Sequence, residues 1–247
     1  MVNISDIPSE PTTDGRIETA KQIRRLMRAV IVQNVGASVW EKVGGELKEI
    51  ADKVDKETVP GQSMRVIQRN NDGGSSENMF LTSPVSGPVN PISAPVKWTA
   101  NPDGNGVLGI AVFDDQHEGP PTCVHGGILA LVFDELLGAA NIRAGFAGMT
   151  GTLSIRYSSP TPLHKEVKLY GECLGKDGRK IRSIARAEVE GVITATAEGV
   201  FISVNPDQFL KIAEKNAGES AEEMLKQRYS TLSQSGEIDK LGPSDFG

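Results

Sequence analysis

The chain has 247 residues, of which 38% are hydrophobic, 23% charged and 5% aromatic, and it carries a net charge of −6. At about 150 residues per domain this is one to two domains, long enough to bury a core without disulfide or metal staples, and its ordinary charge content excludes a disordered, fibrous or collagen-like chain. The acidic balance leaves no basic footprint for nucleic acid, and no uncharged apolar run approaches the roughly 18 residues of a membrane-spanning helix.

Two cysteines, Cys123 and Cys173, are too few for a disulfide framework. Reduced thiols and a cytoplasmic location are the expectation. Asp6, Glu10, Asp14 and Glu18 with no apolar core argue against a secretory or transit signal at the start.

In chain order, residues 1–16 are polar, contain Pro8 and Pro11, and read as a mobile N-terminal segment. Residues 17–60 read as a helical extension. Ile23, Leu26, Met27, Val30 and Ile31 form one apolar stripe, and Val39, Val43, Leu47, Ile50 and Val54 a second, after a Ser38-x-x-Glu41 capping box. Both stripes are expected to pack on the main domain; they lack the aromatic, strongly basic character of a membrane-surface helix. The main unit is expected over 61–205, led by a loop region rich in Gly, Ser, Asn and Pro that includes Asn71-Asp-Gly-Gly74.

Strands are predicted at Val96–Thr99 and Val107–Phe113, joined by the turn-rich Asn101–Gly106. A long apolar helix is predicted from Gly126 to about Asn141. Strands follow at Thr152–Tyr157, Val167–Leu174, Ile181–Val189 and Val192–Val204, with Asp177-Gly178 and Glu190-Gly191 at hairpin positions. The pattern is α+β, with a four-strand antiparallel meander after the helix. Residues 206–247 are expected to be a helix, starting around Phe209 and Leu210, and a polar tail.

The central helix carries the chemistry. From Ile128 to Phe133 it is apolar on every side, so it is expected to be wrapped by protein all round. Asp134 is then a carboxylate that is costly to desolvate unless it is paired or used. Glu135, about 100° further round, is expected to reach an edge and water. Gly126-Gly127 leaves backbone N–H groups open at the helix start, either as a tight turn or as a site for a developing oxyanion.

Three stretches resemble the hotdog-fold acyl-CoA thioesterases: Glu118–Ile128 with Asp134 and Gly138, then Met149-Thr-Gly-Thr-Leu-Ser-Ile-Arg-Tyr157, then Pro160-Thr-Pro-Leu163. The branch that looks nearest is the phenylacetate-pathway (PaaI-like) group, including the mammalian carboxyl-terminal modulator protein type. The resemblance implies a curved antiparallel sheet wrapped round one helix and the hydrolysis of acyl-CoA without a cofactor. It implies Asp134 as general base or nucleophile, Gly126 or Gly127 as backbone donor to the thioester carbonyl, and His125 as the motif histidine that supports the loop and contacts the substrate. Thr150 would position water; its interval of 16 residues from Asp134 looks like that of the mammalian type. Some branches place an Asn six residues before the histidine, where this chain has Gly119.

Gly126 and Asp134 are eight residues apart, about 12 Å along a helix. A base and an oxyanion donor for one carbonyl must both lie within a few ångströms of it. If both are catalytic, they come from different chains, and a homodimer is required, with a tetramer left open.

The remaining features are weaker. Gly104-Asn-Gly-Val-Leu-Gly109 fits a dinucleotide pattern but precedes a strand, so it reads as a hairpin loop. Cys123 near His125 lacks a third well-spaced ligand, so no metal site is expected and a packed thiol is the better reading. Lys176-Asp-Gly-Arg179-Lys180 is a basic hairpin in an acidic chain; Arg179 and Lys180 suit the phosphates of CoA. His117 and His164 read as loop residues, and Tyr157, Pro160 and Pro162 as structural. Two alternatives remain: a non-catalytic module that binds acyl-CoA or a protein, and a hotdog enoyl-CoA hydratase. The hydratase class places Asp before His on one helix segment, whereas His125 precedes Asp134 here.

Overall fold

The computed structural model describes residues 13–57, 82–94, 96–101 and 106–203. The readings of residues 1–12 and of the stretch from 206 onward lie outside them, as do most of the leading loop region and the tip of the 101–106 hairpin. Two helices come first, α1 (Thr13–Val32) and α2 (Ala37–Glu57). Then come β1 (Lys97–Ala100), β2 (Gly106–Val112), the helix α3 (Gly126–Arg143), and β3 (Gly148–Tyr157), β4 (Glu166–Asp177), β5 (Lys180–Val189) and β6 (Val192–Ser203). The described residues hold no helix long and apolar enough to cross a membrane.

The six strands form one antiparallel sheet in the order β1-β2-β4-β5-β6-β3, with α3 packed on its inner face. This is the hotdog arrangement. The inner face follows from simple alternation: in β4 and β5 every second residue is buried, from Val167 to Cys173 and from Ile181 to Val189. Against them lie Leu129, Val132, Phe133, Leu136 and Leu137 of α3. Each such aliphatic or aromatic side chain contributes about 1.5–3 kcal/mol through burial. Close approach of helix to sheet depends on two glycines. A Cβ on Gly171 would stand 2.7 Å from Leu136 Cγ, and one on Gly199 would stand 2.8 Å from Leu137 Cδ1.

Only β4–β6 form a meander. The expected fourth member, β3, pairs with β6 at the far edge of the sheet. The reason is α3: it crosses the inner face, so the strand after it emerges on the opposite side from β2. The chain then returns beneath the loop before α3. Thr161 accepts from Val124 N–H at 2.8 Å, and Leu163 N–H donates to Thr122 at 3.0 Å. The Pro160–Leu163 stretch is thus a ladder partner for that loop. At the other hairpin, Glu190 (φ 50°) and Gly191 (φ 84°) both take the left-handed conformation that a tight two-residue turn demands.

Three helical expectations change. Helix α2 begins at Ala37, so Ser38 lies inside it and is not its cap. Among the described residues the α2 stripe does not pack on the main domain: no residue of α2 is buried, and Val39, Leu47, Ile50 and Val54 are exposed. Helix α1 does dock, through buried Ala20 and through Arg24 and Arg28. Finally, the described residues do not cover α3 all round. Gly127 and Leu131 face out with half-buried Asp134 and Gly138, at helical spacing, and Leu131 is 42% exposed.

Candidate active site

His125 caps α3. Its backbone is extended (φ −61°, ψ 132°) and its Nδ1 accepts from Gly127 N–H at 2.9 Å. Accepting at Nδ1 puts the proton of the neutral ring on Nε2. The cap consumes the Gly127 donor. Ile128 N–H turns back to the His125 carbonyl at 2.9 Å. Gly126 N–H has no protein acceptor among the described residues, and it points out of the positive end of the helix dipole. Of the two glycines considered as donors, the geometry therefore leaves Gly126.

The loop behind His125 is tightly built. His125 N–H donates to the His117 carbonyl at 2.8 Å, and Gly119 N–H to the Cys123 carbonyl at 2.9 Å. Gly119 packs beneath the histidine: a Cβ there would come within 2.7 Å of His125 Cα. A side chain such as Asn does not fit this backbone. Tyr157, on β3, donates its hydroxyl to the Gly126 carbonyl at 2.8 Å and so ties the helix start to the sheet. Cys123 is half-buried beside Pro162 and remains a packed thiol.

Further along α3, the Thr150 hydroxyl donates to Asp134 Oδ1 at 2.6 Å. This contact depends on an irregularity. Thr150 and Tyr157 are seven residues apart, which in a regular strand puts them on opposite faces. The register with β6 slips between Thr150 and Thr152, so Gly151 is a bulge, and both side chains face α3. The bulge also explains why the sequence pattern alone starts this strand at Thr152.

The neighbouring carboxylate reverses an expectation. Glu135 does not reach water; it turns inward and accepts from the hydroxyls of Ser83 and Ser86. Burial raises its pKa above the ordinary 4.5, the Asp134 charge adds to this, and the serine hydrogen bonds act against it. Asp134 lies on the open side. A carboxyl with a raised folded-state pKa contributes stability that is full below the unfolded value, 4.5, and is lost as pH rises through the folded value. Glu135→Gln is therefore expected to remove this loss. The stability of wild type minus that of the variant should fall as pH rises above 4.5 in urea titrations, and a flat difference would contradict the assignment.

The structure brings Asp134 with Thr150, and His125 with Gly126, Gly127 and Tyr157, but the two groups sit at different ends of the α3–β3 face. Arg179 and Lys180 stay exposed on the β4–β5 hairpin. Register places one row across Met149, Ile202 and Lys180, so the hairpin lies at the Thr150 end of the sheet, two strand spacings (about 10 Å) from β3. His117 and His164 are more than loop residues. His117 is buried in a 3₁₀ turn, Asp115–His117, where its Nδ1 accepts from Asp114 N–H at 3.1 Å. His164 contacts Asp115 at 2.9 Å. Sequence reasoning missed Glu135, Ser83 and Ser86, because only the packing of 82–94 reveals which carboxylate is inside.

No family model matches the chain. Over 93 residues it is 31% identical to the acyl-coenzyme A thioesterase THEM4 of Mus musculus, covering 37% of this chain and 40% of that protein. The Bos taurus THEM4 is likewise 31% identical over 93 residues, 38% of its length. The chain thus matches about two-fifths of the length of these curated relatives. A crystal structure of a thioesterase superfamily protein superposes more fully: 32% identity, a TM-score of 0.68, 76% of this chain and 90% of that one. With the His125-Gly-Gly cap, the Asp134–Thr150 pair and the helix-in-sheet order in common with the motif set read above, and with this extent of likeness, the chain belongs to the thioesterase superfamily.

Proposed function

We propose that this protein is a cytoplasmic acyl-CoA thioesterase of lipid metabolism that cleaves a fatty or aryl acyl-CoA to the free acid and CoA, working as a homodimer. The observation that carries this reading is Asp134, held at 2.6 Å by Thr150 on the open face of α3, with the Gly126 N–H, which meets no acceptor among the described residues, at the start of the same helix. The thioester carbonyl oxygen docks on Gly126 N–H, where the developing charge meets the helix dipole. Asp134 of the other chain takes a proton from water as the water oxygen attacks the carbonyl carbon, or attacks that carbon itself to give a mixed anhydride. Thr150 orients the nucleophile. The C–S bond breaks: on the water route the acid is released and the CoA thiolate receives the proton that Asp134 took, and on the anhydride route water then hydrolyses the anhydride, restoring the Asp134 carboxylate, releasing the acid and supplying the thiolate's proton. Arg179 and Lys180 contact the CoA phosphates.

The single chain supports the dimer in three ways. Gly126 and Asp134 lie about 12 Å apart along α3, too far to serve one carbonyl. A twofold axis near Leu131 would bring Gly126 of one helix to Asp134 of the other. The ten-residue β3 is an open sheet edge with Met149 51% and Tyr157 52% exposed, and a long open edge is rarely left unpaired.

The test is CoA thiol release from short, medium, long and aryl acyl-CoAs. Saturable release from at least one class is expected. Tight binding with no release from any class would instead identify a binding module.

A further inference from the structure

We infer that helix α1 positions the catalytic apparatus, with Arg24 and Arg28 as its two positioning residues. What that apparatus does rests on the thioesterase reading above. Ala20, Arg24 and Arg28 recur every four residues and share one face of α1. Ala20 is buried at the contact. The two arginines then grip two different supports of α3.

Arg24 holds the carboxylate support. Its Nη1 donates to the Asn90 carbonyl at 2.9 Å and its Nη2 to the Pro88 carbonyl at 3.2 Å. This segment is folded on itself: Asn90 N–H donates to the Gly87 carbonyl at 3.0 Å and the Ser93 hydroxyl to the same carbonyl at 2.6 Å. Its leading end carries Ser83 and Ser86, which hold Glu135, the residue next to Asp134.

Arg28 holds the oxyanion support. Its Nε donates to Asp115 Oδ2 at 2.5 Å and lies 3.0 Å from Asp114 Oδ1. These carboxylates head the 3₁₀ turn, where Asp114 Oδ1 accepts from Asp115 N–H at 2.8 Å. The turn ends at His117, whose carbonyl takes the His125 N–H at 2.8 Å. Neither arginine touches Asp134, Thr150 or Gly126 in these hydrogen bonds.

Charge explains the need for a cation at 28. Two adjacent carboxylates repel each other within the turn. The His164 ring faces both, at 3.5 Å from Asp114 and 2.9 Å from Asp115, but it is cationic only when protonated. The guanidinium is permanently charged, and its hydrogen bond holds the Asp115 carboxyl below the usual carboxylate range. Without it, repulsion acts on the turn whose far end fixes His125, and through the cap on Gly126. Among the described residues Arg24 meets no carboxylate; it ties down carbonyls, so its loss is felt at Ser83, Ser86 and Glu135 instead.

Full-length Arg28→Ala, Arg28→Lys and Arg24→Ala test this against wild type in two measurements. In steady-state CoA release, Arg28→Ala is expected to lower kcat about 10-fold with KM changed by less than about 2-fold, the pattern of a misplaced transition-state donor. Arg28→Lys restores part of the loss, because it keeps the charge but not the planar fork. In amide hydrogen exchange, Arg28→Ala is expected to speed exchange over residues 117–127 about 10-fold and leave 83–90 unchanged, and Arg24→Ala to do the reverse. A merely structural helix would lower the thermal midpoint and leave kcat of the folded fraction intact. Unchanged kcat, or unchanged exchange over 117–127, in Arg28→Ala overturns the inference. If Arg28→Ala does not fold, Arg28→Lys carries the same comparison at smaller amplitude. If wild type releases no CoA from any substrate, the thioesterase reading falls, and the exchange measurement alone decides whether α1 holds the loop.

Discussion

Asp134→Asn is expected to lower kcat for acyl-CoA hydrolysis by at least about 100-fold. The substitution keeps the size and shape of the side chain. Thr150 can still donate to the remaining carbonyl oxygen, so the 2.6 Å contact and the packing of α3 on β3 should survive. What disappears is the ability to take a proton from water or to attack a carbonyl carbon. Oligomeric state and thermal midpoint should therefore match wild type while turnover collapses. Wild-type turnover in this variant would remove Asp134 from the mechanism, and Glu135 could not simply replace it, since both its oxygens are engaged by serines.

The second large effect is expected from Leu131→Glu. Leu131 is 42% exposed in the single chain, so a glutamate there costs the fold little. At the proposed twofold axis, however, two carboxylates would meet across a desolvated contact, where unpaired like charges are strongly disfavoured. Size-exclusion chromatography should show a monomer with unchanged far-ultraviolet circular dichroism. Its turnover should fall at least about 100-fold, because carbonyl donor and carboxylate no longer share a substrate. A monomer with full activity would break the proposal that each site is built from two chains.

The parts of the fold legible in the sequence are those fixed by local chemistry. The apolar α3 after a Gly-Gly start, the β-branched strands and the two hairpin turns emerge close to where periodicity and turn residues place them. Strand order was not legible. Whether β3 pairs with β4 or β6 depends on where α3 leaves it, a non-local outcome that no window of residues encodes. The same holds for the two carboxylates. Asp134 and Glu135 are adjacent, and a uniformly apolar helix gives no phase by which to say which one points inward. The answer comes from Ser83 and Ser86, in a stretch whose composition reads only as loop. The α2 stripe shows the opposite failure: its periodicity is clear, and among the described residues nothing buries it.

Gly151 has a consequence for how such sites are recognised. The interval from Thr150 to Tyr157 is odd in sequence yet behaves as even in space, because one residue of the strand is spent on the bulge. Parity, not distance along the chain, decides whether a hydroxyl meets the helix carboxylate. A relative with an unbroken strand would need its hydroxyl shifted by one position to make the same contact. A fixed-spacing pattern drawn from this chain would pass over that relative, and would accept another whose threonine faces away.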